Sequence, residues 1–207
     1  MDFRLLGPAT LMTLELTLGA TAIGAVVGVV ILILRRVPFG PVQWLAVGWV
    51  EIVRGVPPLV WLLLVFLGVG GFAPMAAAIL VLGLIAGAYL SEIYRSGLES
   101  VARGQYEAIA SLAVPAPWGY LRVIVPQAAR VSGPAIVSYV IGLIKDTSLA
   151  SVIGVAELTF VANRAANRTG DGIAPFLTVG VIYLLISVCF GMLGRVLEHR
   201  SGRRAAR

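Results

Sequence analysis

The chain has 207 residues, of which 59% are hydrophobic and only 13% charged, and its formal net charge at pH 7 is +6. Soluble domains carry about a quarter charged residues, so this composition indicates an integral membrane protein. The single cysteine cannot form a disulfide within one chain, and the single histidine, His199, lies in a basic tail. We therefore expect no metal site and no Ser-His-Asp catalytic site in this chain.

Apolar runs long enough to cross a bilayer predict an all-α membrane protein with five transmembrane helices. Residues 55–91 contain no charged side chain and are too many for one helix, and a glycine-rich turn at 68–71 divides them into two. The spans are predicted at about 9–34, 56–70, 74–93, 131–145 and 172–195 of a single domain, 1–207.

A further helix is predicted at about 42–54, and it contains Trp44 and Trp49. Two positions remain open for this helix: along the membrane surface, or as the first half of the second span. Tryptophan is enriched at membrane–water interfaces, which favours the surface.

The arginines are distributed unevenly between the two sides that five spans define. Eleven fall on one side, in the 35–36 pair, the 95–130 stretch and the tail, whereas Arg4, Arg164 and Arg168 fall on the other. Cytoplasmic loops carry the excess of basic residues, so the N-terminus is predicted outside and the C-terminus in the cytoplasm. The positive charge thus indicates topology and contact with membrane lipid, and we expect no nucleic-acid partner.

Charged and hydroxyl side chains interrupt the fourth span at Lys145, Asp146, Thr147 and Ser148. The apolar run that follows, 149–155, is too short to cross again, so a re-entrant or unwound segment after this span is expected. Charges inside apolar sequence are costly, and they usually line a pathway or pair with one another.

The longest polar stretch, about 96–128, contains a predicted helix over 99–112 followed by the breaker Val114–Pro117. Gly104, Ala108 and Ser111 fall at i, i+4 and i+7, which makes a stripe of small residues on one face. This face either packs on its own protein or receives a partner.

This stretch resembles the E-A-A-x3-G-x9-I-x-L-P pattern of the cytoplasmic "EAA" loop in permease subunits of bacterial ABC importers. Glu107 and Ala108 match its start, and Pro126 ends it at the full spacing. The sequences "EIVRGVPPLV" (51–60), "SEIYRSGLESVARGQYEA" (91–108) and "KDTSLASVIGVAEL" (145–158) are similar to the polar amino-acid branch, which takes up histidine, glutamine, glutamate or arginine. The departures from the pattern are Ile109, Ala113, Val123 and Val125, which replace alanine, glycine, isoleucine and leucine.

The resemblance implies a fold of the type I importer permease, placed in the bacterial cytoplasmic membrane. It implies a second permease subunit of the same or a homologous chain, two cytoplasmic P-loop ATPase subunits and an extracytoplasmic amino-acid-binding protein. ATP and Mg²⁺ would bind the ATPase subunits, with no cofactor on this chain. The residues implied to couple to the ATPase are Gly104, Glu107, Ala108, Ser111, Ala113 and Pro115.

A pathway for an amino acid needs both charge signs and hydroxyl groups, at an affinity low enough for release. Thr147 and Ser148 are the strongest candidates for direct contact. An alternative role for Lys145 and Asp146 is to pair with neighbouring residues. An alternative role for Glu92 is a plain ion pair with Arg95. The predicted pathway residues are Arg54, Pro57, Tyr89, Glu92, Lys145, Asp146, Thr147, Ser148 and Glu157.

Other functions remain alternatives at this point. A stand-alone ion-coupled carrier or channel would not need the EAA loop. A membrane enzyme would need a nucleophile with a base, for which only Ser148 and Lys145 qualify. A P-loop needs G-K-[ST], and the only lysine is followed by aspartate, so ATP hydrolysis is expected on a separate subunit.

Overall fold

A computed structural model describes residues 3–203 of the chain, with side chains from 4 to 196, and this part contains helices and no strand. The α-helices are α1 (Leu6–Leu34), α2 (Gly40–Gly55), α3 (Pro58–Gly68), α4 (Pro74–Glu99), α5 (Arg103–Ser111), α6 (Ala116–Gly119), α7 (Val125–Asp146), α8 (Leu158–Thr169) and α9 (Ile173–Arg203). A π-helical turn, Tyr120–Ile124, joins α6 to α7, and a 3₁₀ helix, Thr147–Ile153, follows α7.

Four helical segments of the described chain are long and apolar enough to cross a membrane: Leu6–Leu34, Pro74–Glu99, Ala116–Ile153 and Ile173–Val196. The bent pair of α2 and α3 makes a fifth if it counts as one span. The multi-pass helical class expected from the sequence is therefore confirmed.

The fourth helical segment is much longer than its predicted span of 131–145, since helix begins at Ala116 and continues for 38 residues. Pro126 does not break it: the proline lies just after the π-helical turn Tyr120–Ile124, so its missing N–H falls where the hydrogen-bond ladder has already shifted away from the i→i−4 pattern. The second half of the predicted polar loop is thus helical and continuous with the span.

The chain bends by 101° between α2 and α3, at Val56 and Pro57. The indole Nε1 of Trp61 donates a hydrogen bond of 3.2 Å to the carbonyl of Val53, which is one of the carbonyls left without an intrahelical partner at the end of α2. The bend is compatible with both predicted positions of 42–54, so the membrane-surface position stays a prediction.

Helices α1 and α4 pack closely against each other over an extensive interface. A Cβ atom added to Gly24 would lie 2.5 Å from Cβ of Ala86, and one added to Gly87 would lie 2.4 Å from Val27 Cγ1. Small residues let helix backbones approach in membranes, where van der Waals packing drives association. These glycines therefore make α1 and α4 a frame for the remaining helices.

The break expected after the fourth span occurs at Asp146, where the α-helix tightens into 3₁₀ geometry. Gly154 then reverses the chain with a φ of +89°, a left-handed conformation that glycine adopts without steric cost. Ala150, Ile153 and Val155 are buried. Irregular backbone at membrane depth needs such cover by protein, so the segment fits the expectation of a buried break.

Candidate functional site

Four side chains from three helices form a row that we call the aromatic row: Arg54, Tyr89, Tyr139 and Asp146. The guanidinium of Arg54, in the last turn of α2, lies 5.1 Å from the ring centroid of Tyr89 on α4. The ring of Tyr89 stacks on that of Tyr139 on α7, with centroids 5.3 Å apart and planes inclined by 25°. Asp146 lies seven residues after Tyr139, on the same face of α7, so the row extends from a cation across two rings toward an anion.

Sequence reasoning missed Tyr139, although a signal was present. Tyr139 and Asp146 are seven residues apart, which places them on the same face of α7. A tyrosine on the face that carries the only acid of an apolar helix could have been selected on that basis.

The pairing alternative for Lys145 and Asp146 is not found in this structure. Among residues 4–196 no ion pair includes Lys145, Asp146 or Arg54. The carboxylate of Glu157, which is close to them in sequence, makes its hydrogen bonds elsewhere. Lys145 is exposed and Ser148 is half-buried, and no hydrogen bond joins them within the described chain, so the geometry gives no support to a Ser-Lys enzyme.

Two predicted pathway residues, Thr147 and Glu157, are fully buried. The hydroxyl of Thr147 donates to the carbonyl of Ile144 at 2.6 Å. The carboxylate of Glu157 accepts from the backbone N–H groups of Thr159 at 2.9 Å and Phe160 at 2.8 Å, and so caps the N-terminus of α8. In this geometry both side chains hold the break in place and face protein.

Glu92 lies in an ion network with Arg35, Arg95 and Glu99. Its carboxylate pairs with Arg35 at the end of α1 and with Arg95 at 2.8 Å, and Arg95 also reaches Glu99 at 2.8 Å. The ion pair of Glu92 with Arg95, considered from the sequence, is therefore present. The partner from α1 is separated by 57 residues and could not be read from local spacing.

Pro57 and the coupling residues lie at exposed positions. Pro57 forms the N-cap of α3 at the bend. On α5 the small-residue stripe points away from the protein, so it does not pack on its own chain. All six residues predicted to couple to the ATPase are exposed: Gly104, Glu107, Ala108, Ser111, Ala113 and Pro115.

The opposite side of α5 fixes the helix to the bundle. Tyr106 and Ile109 pack against the buried cluster of Leu98, Val101, Ile124 and Ala128. The phenol of Tyr106 donates to the carbonyl of Leu98 at 2.8 Å, and burial is the main cause that raises the pKa of this phenol. Tyr106 therefore remains a neutral donor at physiological pH, and it presents the stripe outward.

The turn after α5 explains why the EAA pattern has glycine where this chain has Ala113. Ala113 has a φ of +52°, the only positive φ of a non-glycine residue in residues 3–203. Left-handed backbone favours glycine. Sequence reasoning also missed Gly119, where a Cβ atom would lie 2.6 Å from Cγ2 of Ile109, because close approach between segments leaves no local pattern.

The family model described as "Binding-protein-dependent transport system inner membrane component" matches residues 20–203. The arginine transport system permease protein ArtQ of Bacillus subtilis is 30% identical over 91% of this chain and 88% of its own. The L-cystine transport system permease protein TcyB of the same organism is 34% identical, over 94% and 86%.

Solved structures agree in fold. A crystal structure of an amino acid ABC transporter with histidines is 31% identical, with a TM-score of 0.88 over 95% of this chain and 94% of that one. The MetNI methionine ABC transporter in an inward-facing conformation shares the fold at 18% identity, with a TM-score of 0.83. These relatives favour a permease subunit over a stand-alone carrier. The chain belongs to the family of inner-membrane components of binding-protein-dependent transport systems, the permease subunits of ABC importers.

Proposed function

We propose that this chain forms, with a second permease chain, the pathway for a polar amino acid through an ATP-driven importer. The observation that carries the proposal is that the relatives named for arginine, glutamate/aspartate and cystine are each at least 30% identical over more than 90% of this chain. The amino acid would arrive on an extracytoplasmic binding protein.

The exposed stripe of α5 is proposed as the contact with a cytoplasmic P-loop ATPase. Gly104, Ala108 and Ser111 present little side-chain bulk, so a facing surface can approach the helix closely. Tyr106 and Ile109 attach the helix to the bundle. A displacement imposed by the ATPase can therefore pass to the helices, while ATP and Mg²⁺ bind the partner and this chain holds no cofactor.

The orientation proposed from the arginines places the N-terminus outside and the C-terminus in the cytoplasm. Arginines that are predicted on the same side of the membrane lie close together in the structure. Arg36 and Arg103, both predicted on the cytoplasmic side, line one surface groove beside α5. Leu5 and Arg164 line another with Arg168, next to the start of α1. This grouping supports a cytoplasmic end at α5 and an outer end at α8.

The aromatic row is the proposed place of substrate contact. The amino acids named for the relatives differ in side-chain charge but share a carboxylate and an amino nitrogen. Arg54 is suited to the carboxylate, because a guanidinium presents a planar fork of donors. Asp146 is suited to the ammonium, and Lys145 and Ser148 beside it offer further contacts. Because no ion pair neutralises Arg54 or Asp146 among the described residues, both remain available.

The test is uptake by the assembled complex in liposomes with Arg54→Gln and Asp146→Asn. Hydrogen bonds to charged groups are worth about 1.5–3 kcal/mol, so each change should reduce uptake roughly 10- to 100-fold. Glu51→Gln is the matched control, since it removes an exposed charge one turn from Arg54 on the same helix. Import at the wild-type rate and selectivity by both variants would show that the row is scaffold.

A further inference from the structure

A cavity at the outer end of the bundle has the composition of a lipid site. It has a volume of about 240 Å³ and lies between the start of α1, at Leu5, Pro8 and Ala9, and one face of α8, at Phe160 and Val161. Its lining is almost entirely apolar, which disfavours a charged or strongly polar occupant.

Two arginines stand at the rim of this cavity. Arg164 and Arg168 are one helical turn apart on α8, so they lie on the same face. Within residues 4–196 neither is part of an ion pair. Like charges at this spacing repel each other, and an anion between them would relieve the repulsion.

The depth of the cavity matches the headgroup region of a bilayer. Helix α1 has 29 residues and is therefore about 43 Å long, against a hydrocarbon core of about 30 Å. Its first turns, which line the cavity, lie near one membrane surface. The volume is below the roughly 300–1,000 Å³ of pockets that enclose a whole ligand, so only part of a larger molecule fits.

We propose that this cavity and its two arginines bind an anionic phospholipid, with part of an acyl chain in the cavity and the phosphate between Arg164 and Arg168. An anionic phospholipid combines an apolar chain with a phosphate that lies at the membrane surface, which matches an apolar cavity with two arginines at its rim. The leaflet is the outer one if the proposed orientation holds, but the site itself does not depend on the transported substrate.

The experiment measures retention of phosphatidylglycerol by the purified complex, using native mass spectrometry at fixed lipid-to-protein ratios. The double variant Arg164→Gln/Arg168→Gln should bind this lipid roughly thirtyfold more weakly, since a basic residue near an anionic lipid contributes about a factor of five. Ala156→Leu narrows the apolar cavity without changing charge, and it should also weaken binding. Arg195→Gln, an exposed arginine near the other end of α9, should leave retention at this site unchanged.

Phosphatidylcholine and glycerol phosphate are the comparison ligands. Weaker retention of phosphatidylcholine and no competition by glycerol phosphate are expected. Unchanged phosphatidylglycerol retention in the double arginine variant would overturn the proposal. Loss of phosphatidylglycerol retention in the double arginine variant, without any loss in Ala156→Leu, would also overturn the proposal. Full competition by glycerol phosphate would do the same, because either result indicates a simple phosphate site.

Discussion

The hydroxyl of Tyr183 donates to a carboxylate oxygen of Glu157 at 2.6 Å and so connects α9 to the start of α8. Tyr183→Phe removes this donor while keeping the ring. A hydrogen bond to a charged group contributes about 1.5–3 kcal/mol, so we expect that loss in stability, read as a lower melting temperature of the assembled complex in detergent.

Tyr94→Phe is the matched control for this prediction. Tyr94 is half-buried in α4 and makes no hydrogen bond among the described residues, so its change should move the melting temperature little. Equal effects of the two variants would show that the contact between Tyr183 and Glu157 does not stabilise α8.

The close approach of α1 and α4 predicts that Gly24→Ala destabilises the fold. The added methyl group would meet Cβ of Ala86 at 2.5 Å, and overpacking of this kind costs about 1–3 kcal/mol. Gly133→Ala is the control, because a Cβ atom there meets nothing within 4 Å. Folded yield and melting temperature should fall for the first variant only, and a stable Gly24→Ala protein would contradict the packing.

The left-handed backbone of Ala113 predicts unequal tolerance in the turn after α5. Ala113→Gly should be neutral or slightly stabilising, because it relieves strain of about 1–2 kcal/mol against a similar entropic cost. Ala113→Val should destabilise, whereas Ala110→Val, an exposed helical position of α5, should cost only a few tenths of a kcal/mol. Equal melting temperatures for both valine variants would argue against the left-handed turn.

The exposed stripe predicts that Ala108→Trp uncouples the complex without unfolding it. The indole would stand on the face proposed to meet the ATPase, so substrate-stimulated ATP hydrolysis and uptake should both fall at least tenfold. Ala174→Trp, also exposed but on the first turn of α9, should retain both activities. Wild-type stimulation in the Ala108 variant would place the coupling contact elsewhere.

Local patterns in the sequence were sufficient for some of these features. A long apolar run defines α1, which begins at Leu6 against a predicted start near 9. Spacing of three residues predicts the ion pair of Glu92 with Arg95, because such residues are neighbours on a helix.

Contacts between distant segments were not predictable in this way. Arg35, the partner of Glu92 at the C-cap of α1, is 57 residues away, and the stacking of Tyr89 on Tyr139 joins α4 to α7. Periodicity reports which face of a helix is apolar, but not which helix covers it. Local pattern also did not show where the fourth helical segment begins, because the chain is helical from Ala116 and Pro126 lies within this helix, just after its π-helical turn.

If this chain is the permease of an ATP-driven amino-acid importer, it should support transport in a fully defined system. Uptake of radiolabelled amino acids is measured in liposomes that contain the chain with its ATPase and binding protein. We expect uptake that requires internal ATP, the binding protein and both partner subunits, and that falls in Asp146→Asn. Uptake by this chain alone, driven by an ion gradient without ATP, would instead identify a stand-alone carrier.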